Sequence, residues 1–192
     1  MSVVDLPADL VADKRAARSA LLTARRALSA ARLADGSASV FAHLSDLVRR
    51  QQPPVIAAYE PFGTEPCAHL TRPFPEQLAA LASAPRVLVP VLREDRDLDW
   101  RDWNDPGGRL GVAAIADADL VIVPAVAVDR TGVRLGRGGG SYDRALARVR
   151  PGVLVIALLH DGELAHRLPA EEHDIRVGAV TTPTAGMIRL PC

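Results

Sequence analysis

The stretch Arg134-Leu135-Gly136-Arg137-Gly138-Gly139-Gly140-Ser141-Tyr142-Asp143-Arg144 concentrates glycine, cation and carboxylate more densely than any other part of this 192-residue chain. Its glycines have no Cβ, so the backbone there can reach positive φ and bring its N–H groups up against a ligand. Tyr142 to Arg150 follows directly and reads as the opening of a helix, so the loop delivers an anion to a helix N-terminus. Arg134 and Arg137 add positive charge, and Asp143 adds a hard oxygen ligand of the kind Mg²⁺ accepts beside phosphate. A Walker A loop is excluded because no Lys follows the last glycine. A dinucleotide G-x-G-x-x-G is excluded because the run Gly136 to Ser141 ends in serine. The bland alternative is a flexible linker or a tight strand-to-helix turn, but neither has a use for two arginines and a Y-D-R tail at fixed spacing.

Outward from the loop, short apolar runs alternate with helical patterns. Upstream lie the strand Leu120–Pro124, an extended continuation over Ala125–Val128 and a turn at Asp129–Gly132. Downstream, Val153–Leu159 is the most apolar run of all and reads as a central strand covered on both faces, closed by His160. A polar loop carrying Asp174 leads to a last strand, Ala179–Thr182. Nearer the N-terminus, Val55–Tyr59 reads as the first strand and is followed by a Pro/Gly-punctuated loop with Glu60 and Glu65. Pro75–Ala84 reads as a crossover helix and Val87–Val91 as the second strand. Loops at the carboxyl ends of strands in open α/β sheets gather ligands, so Glu65 is either a ligand contact or an exposed loop carboxylate. The charged stretch Arg93–Arg109 reads as an excursion with a short hairpin near Leu98–Arg101. Trp100 and Trp103 there either cover a flat ligand or anchor the loop, and anchoring is the commoner role. The pattern predicts one three-layer α/β domain over 1–192 with a mainly parallel sheet and right-handed crossovers.

The N-terminal part, about 10–50, reads as a helical arm on that core. Asp13–Ser29 has Ala, Leu and Arg throughout and no Gly or Pro. Lys14, Arg18 and Leu22 share one face at four-residue spacing, so two cations can reach one ligand; the other reading is a solvated basic face. A second helix lies within Arg32–Arg50, with Gly36 near its start, and Gln51-Gln52-Pro53-Pro54 ends it.

Charge is balanced, 23 Lys+Arg against 23 Asp+Glu, which gives no electrostatic footprint for nucleic acid. Cys67 and Cys192 fit a reducing compartment better than a disulfide framework or a zinc site. His160, His166 and His173 have no metal-cage spacing and read as surface or strand-end residues. No apolar run reaches membrane length, and the first ten residues lack a secretory pattern, so a cytoplasmic protein is expected, as a monomer or weak homodimer.

Taken together, these motifs resemble the 5-formyltetrahydrofolate cyclo-ligase family, also called 5,10-methenyltetrahydrofolate synthetases, over nearly the whole chain. The similarity is carried by Lys14 and Arg18 as a Lys-x-x-x-Arg opening helix, by Gly63-Thr64-Glu65-Pro66, by the run from Asp119 to Arg144, and by Leu168-Pro169 with Asp174. The resemblance implies a Rossmann-like α/β/α domain and an ATP- and Mg²⁺-dependent closure of 5-formyltetrahydrofolate to 5,10-methenyltetrahydrofolate through a phosphorylated formyl group. It further implies that Lys14, Arg18 and the loop residues Arg134, Leu135, Gly136, Arg137, Gly138, Gly139, Gly140, Ser141 and Tyr142 bind ATP. Glu65 and Arg137 to Ser141 would contact the folate, Asp143 and Asp174 would ligate Mg²⁺, and Lys14 and Arg137 would act in catalysis. The chain departs from the family pattern at Ser141, where an aromatic is common, and at Gly111–Ala116, where a Glu-Pro pair is common. Those departures motivate a second reading, a non-catalytic nucleotide- or folate-binding relative. A third is a sugar-phosphate or coenzyme-A enzyme of similar fold.

Overall fold

In the computed structural model, residues 13–81, 84–171 and 174–191 are described. The first twelve residues, His173 and Cys192 lie outside them, so the expectations placed there are not addressed. In chain order the helices are α1 (Lys14–Arg26), α2 (Ala30–Gln51), α3 (Phe74–Ala79) and α4 (Ser141–Leu146), with a 3₁₀ turn at Val112–Asp117. The strands are β1 (Val55–Ala57), β2 (Arg86–Leu92), β3 (Leu98–Asp102), β4 (Leu120–Pro124), β5 (Ala127–Asp129), β6 (Arg134–Leu135), β7 (Leu154–Leu158), β8 (Leu164–Ala165), β9 (Ala179–Thr182) and β10 (Gly186–Arg189).

Seven strands form one sheet in the order β10-β9-β7-β4-β1-β2-β3. The five inner strands are parallel, while β3 and β10 close the edges as antiparallel partners of β2 and β9. Because the inner strands are buried on both faces, their residues sort by parity. Leu120 and Ile122 of β4 pack with Val40, Leu44, Phe74 and Leu78 of α2 and α3. Val121 and Val123 pack on the opposite side with Ile115, Trp100, Ala145 and Leu146. Helices therefore flank a mainly parallel sheet, as the alternating pattern predicts.

The two N-terminal helices pack on the core at different places. α2 is itself a covering layer of the sheet, and Gly36 lies inside it because a Cβ there would meet Pro183 Cγ at 3.4 Å. α1 instead packs Ala17 and Leu21 on Val126, Val133, Leu135 and Leu168, around a separate small sheet of order β6-β5-β8. This small sheet and β10 were not foreseen, since strands of two to four residues leave no periodic signal.

Other boundaries shift for local reasons. β1 stops at Ala57 because the chain then turns so that the Tyr59 hydroxyl donates to the Pro66 carbonyl at 2.9 Å. α3 ends at Ala79, short of Ala84, with its last buried anchor at Leu78. α4 ends at Leu146 rather than Arg150, and Arg150 precedes Pro151, which disfavours helical backbone. The expected hairpin is the β2–β3 pair, and Trp100 is an anchor buried in the core.

Candidate active site

Two adjoining cavities open at the carboxyl ends of the parallel strands. The larger, about 860 Å³, lies between the start of α1, the glycine loop and the 169–174 segment. The smaller, about 250 Å³, is formed at the ends of β1, β2 and β4 by Tyr59, Pro90 and Pro124 to Val126. Arg134, Gly136, Arg137 and Tyr142 line both cavities.

The loop geometry explains its composition. Gly138 and Gly140 have φ of +98° and +66°, a region that residues with a Cβ rarely occupy. Gly140 is the left-handed cap from which α4 starts at Ser141. A Cβ on Gly136 would lie 2.6 Å from Arg134 Nη1, so the glycine makes room for an arginine folded back beneath the loop. Arg134 Nη2 donates to Asp143 Oδ1 at 3.0 Å, its guanidinium lies 5.6 Å from the Tyr142 ring, and its buried Nε has no hydrogen-bond partner among the described residues. Burial pushes the Tyr142 phenol well above its ordinary pKa, with the Arg134 charge working against that shift.

Both cations predicted on α1 reach the cleft. The Asp13 side chain caps the helix by accepting from the Arg15 and Ala16 amides, which sets its first turn. Lys14 Nζ donates to both oxygens of Asp174 at 2.9 and 2.8 Å and lies 3.4 Å from Glu171. Arg18 Nε donates to the Gly136 carbonyl at 2.7 Å, and its Cζ lies 3.2 Å from where a Gly138 Cβ would be. Lys14, Arg18, Arg134 to Asp143 and Asp174 thus line one cleft. The two candidate metal ligands, Asp143 and Asp174, each face a cation there. Among the described residues no three metal-ligating side chains cluster.

Glu65 is placed differently. It is 4% exposed and lines only the smaller cavity. One of its oxygens accepts from Arg137 Nε at 3.0 Å and the other from the Phe62 amide at 3.2 Å. Arg137 also lies 4.5 Å from the centroid of Phe62, an aromatic ring 60% exposed at the mouth of the pocket. Burial raises the Tyr59 phenol far above its usual value, Cys67 and Glu65 add to the shift, and Arg25 opposes it.

Three contributors were not identified from the sequence. Phe62 and Tyr59 read as loop and strand residues. Arg25 read as one more basic residue of the first helix, yet it is 2% exposed and lines the smaller cavity. The available signal was spacing, since Ala17, Leu21 and Arg25 form the buried stripe of α1. His160, read as a surface or strand-end residue, does close β7, but it is buried and its Nε2 donates to the Thr64 carbonyl at 2.8 Å, pinning the Glu65 loop. His166 is exposed.

Fold and site together define an open α/β protein with a cleft of paired charges and a smaller pocket at the strand ends, the two sharing a wall that carries Arg134 and Arg137. The family model for 5-formyltetrahydrofolate cyclo-ligases matches residues 11–183. A 5-formyltetrahydrofolate cyclo-ligase of Mycolicibacterium smegmatis is 37% identical over 153 residues, covering 70% of this chain and 76% of that protein. The Escherichia coli K12 enzyme of the same name is 41% identical over 78 residues, covering 38% of this chain and 41% of that protein. Among solved structures, the 5,10-methenyltetrahydrofolate synthetase of Aquifex aeolicus superposes with a TM-score of 0.75 at 26% identity, covering 93% of each chain. The one from Mycoplasma pneumoniae gives 0.74 at 21% identity, covering 88% of this chain and 97% of that one. The chain belongs to the 5-formyltetrahydrofolate cyclo-ligase family, ATP-dependent ligases that convert 5-formyltetrahydrofolate to 5,10-methenyltetrahydrofolate. Among the described residues no helix is long and apolar enough to cross a membrane.

Proposed function

We propose that the larger cleft takes the triphosphate of ATP and the smaller pocket the pteridine of 5-formyltetrahydrofolate, with Arg134 and Arg137 serving the phosphoryl group at their shared wall. The adjacency of the two cavities carries this reading. Phosphoryl transfer requires a donor and an acceptor held in line with charge neutralisation between them, and asks little covalent chemistry of the protein.

Lys14, Arg18 and the loop N–H groups would hold the phosphates. Lys14 and Arg134 are each paired with a carboxylate, and phosphate oxygens compete for those cations, leaving Asp174 and Asp143 as hard oxygen ligands. Two carboxylates on one phosphate-sized cleft fit Mg²⁺, which binds through one or two carboxylates plus substrate phosphates. When bound, Mg²⁺ supplies charge neutralisation on those phosphates.

The formyl oxygen is a poor leaving group, so it must first be phosphorylated. It attacks the γ-phosphorus as the bond to the ADP oxygen breaks, leaving an O-phosphorylated, iminium-like carbon on N5. N10 adds to that carbon and loses its proton. Phosphate then departs with the C–O electron pair, leaving the amidinium of 5,10-methenyltetrahydrofolate. Arg137, tied to Glu65 on the folate side and lining the ATP side, spans the two reactants; Lys14 and Arg134 offset charge on the transferring group. Glu65, a buried carboxylate, suits the amino and ring N–H donors of a pterin.

The test is spectroscopic formation of methenyltetrahydrofolate from 5-formyltetrahydrofolate, with ADP measured in parallel. ATP-dependent product with one ADP per turnover is expected. Binding of both ligands without turnover would favour the non-catalytic reading, and ADP release independent of the folate would point to another substrate.

A further inference from the structure

Arg25 lines the smaller pocket from α1, and its bonding leaves a donor over. Nε donates to Glu163 Oε1 at 2.7 Å, and Nη2 donates to Glu163 Oε2 at 2.6 Å and to the Ala125 carbonyl at 2.8 Å. Glu163 is fixed in turn by the His160 amide, which donates to its Oε2 at 2.8 Å. The guanidinium plane is thereby locked from one side. Nη1 makes no hydrogen bond among the described residues, yet it is not one of the sealed unpaired atoms. Arg25 is among the residues that line the smaller cavity.

The same cavity is lined by the buried carboxylate of Glu65 and by Tyr59. The pocket therefore presents an acceptor and a donor to one ligand. The pyrimidine edge of a 2-amino-4-oxopteridine has the complementary pattern, with the 2-amino and N3–H groups donating and the 4-oxo group accepting. We infer that Arg25 is a specificity residue that reads the 4-oxo group of the folate through Nη1, while Glu65 takes the donor side of the same edge. This rests on the folate reading of the smaller pocket. It predicts rejection of a 4-amino ring, which would set a donor against a donor and leave a buried guanidinium N–H unmatched.

The experiment compares calorimetric binding of 5-formyltetrahydrofolate and its 4-amino-4-deoxy analogue, with ATP binding as the control. The proteins are the full chain, Arg25→Lys and the double variant Arg25→Met/Glu163→Leu. Lysine keeps a cation against Glu163 but loses the planar fork, and the double variant removes both charges so that neither is stranded. The wild type is expected to prefer the 4-oxo compound by roughly 100-fold, and in both variants this preference should fall by roughly 10-fold or more with ATP affinity unchanged. Equal losses for both compounds, or an unaltered preference in folded variants, would reduce Arg25 to an anchor of α1 and overturn the inference. A wild type that binds neither compound while still binding ATP would overturn the folate reading of the pocket itself.

Discussion

The two cavities are built on different plans. The larger is walled by mobile-length side chains in charge pairs, Lys14 with Asp174 and Arg134 with Asp143, carried on loops and helix starts far apart in the chain. The smaller is walled largely by strand ends, and it too holds ion pairs, Arg25 with Glu163 and Arg137 with Glu65, but its walls are also braced by bonds to backbone such as Tyr59 on Pro66 and Arg25 on Ala125. Exchangeable ion pairs suit a ligand that brings its own charges, whereas backbone-fixed walls suit recognition of a rigid ring by shape. Away from the wall they share, the cavities can therefore be damaged separately.

The largest break is expected from Asp143→Asn, which removes a candidate metal ligand on the ATP side. Turnover should fall by about 100-fold or more, well beyond the loss of stability that unpairing Arg134 brings, which the shift in thermal midpoint measures. Wild-type turnover at saturating Mg²⁺ would remove the metal role. Next, Lys14→Ala deletes a charged donor and should raise the KM for ATP by roughly 10-fold without altering folate binding. Tyr59→Phe should act on the other cavity alone. Losing the hydroxyl bond to Pro66 costs about 1 kcal/mol in denaturant unfolding and loosens the Glu65 loop, weakening folate but not ATP.

The smallest effect belongs outside both cavities. Asp97 and Arg148 form a two-pronged pair at 2.9 and 2.6 Å that ties the β2–β3 turn to the segment after α4. The Arg148 hydrogen bonds hold the Asp97 carboxyl below its ordinary value. A depressed carboxyl stabilises the fold fully above its unfolded pKa, roughly pH 4, and loses that contribution as pH falls through the lower folded value. Asp97→Asn should therefore cost about 0.5 kcal/mol at neutral pH, vanish as a difference in acid, and leave both ligand affinities intact. A change in ATP affinity would show that the rim of the larger cavity extends past Leu98 to Asp97.

What could be read from sequence divides along the same physical lines. Leu120–Pro124 and Leu154–Leu158 were legible because strands buried on both faces are continuously apolar. The glycine loop was legible because positive φ and the close approach of Arg134 and Arg18 leave no other residue comfortable there. Arg25 was not, since an arginine on a basic helix looks solvated until Glu163, 138 positions away, is folded against it. Glu65 was placed near a ligand, but nothing local separates a pocket of its own from the phosphate cleft. The division of the N-terminal helices between two sheets was hidden for a similar reason, because β6 and β8 are two residues each.

Lys14 grips Asp174 across 160 positions of chain, and β9, which follows at Ala179–Thr182, pairs with β7 inside the main sheet. During synthesis, the lysine of α1 can therefore meet its partner only after the strands β1 to β8 that lie between them have been made. A product that stops before Asp174 cannot form this pair, so one wall of the larger cleft would lack its closing contact.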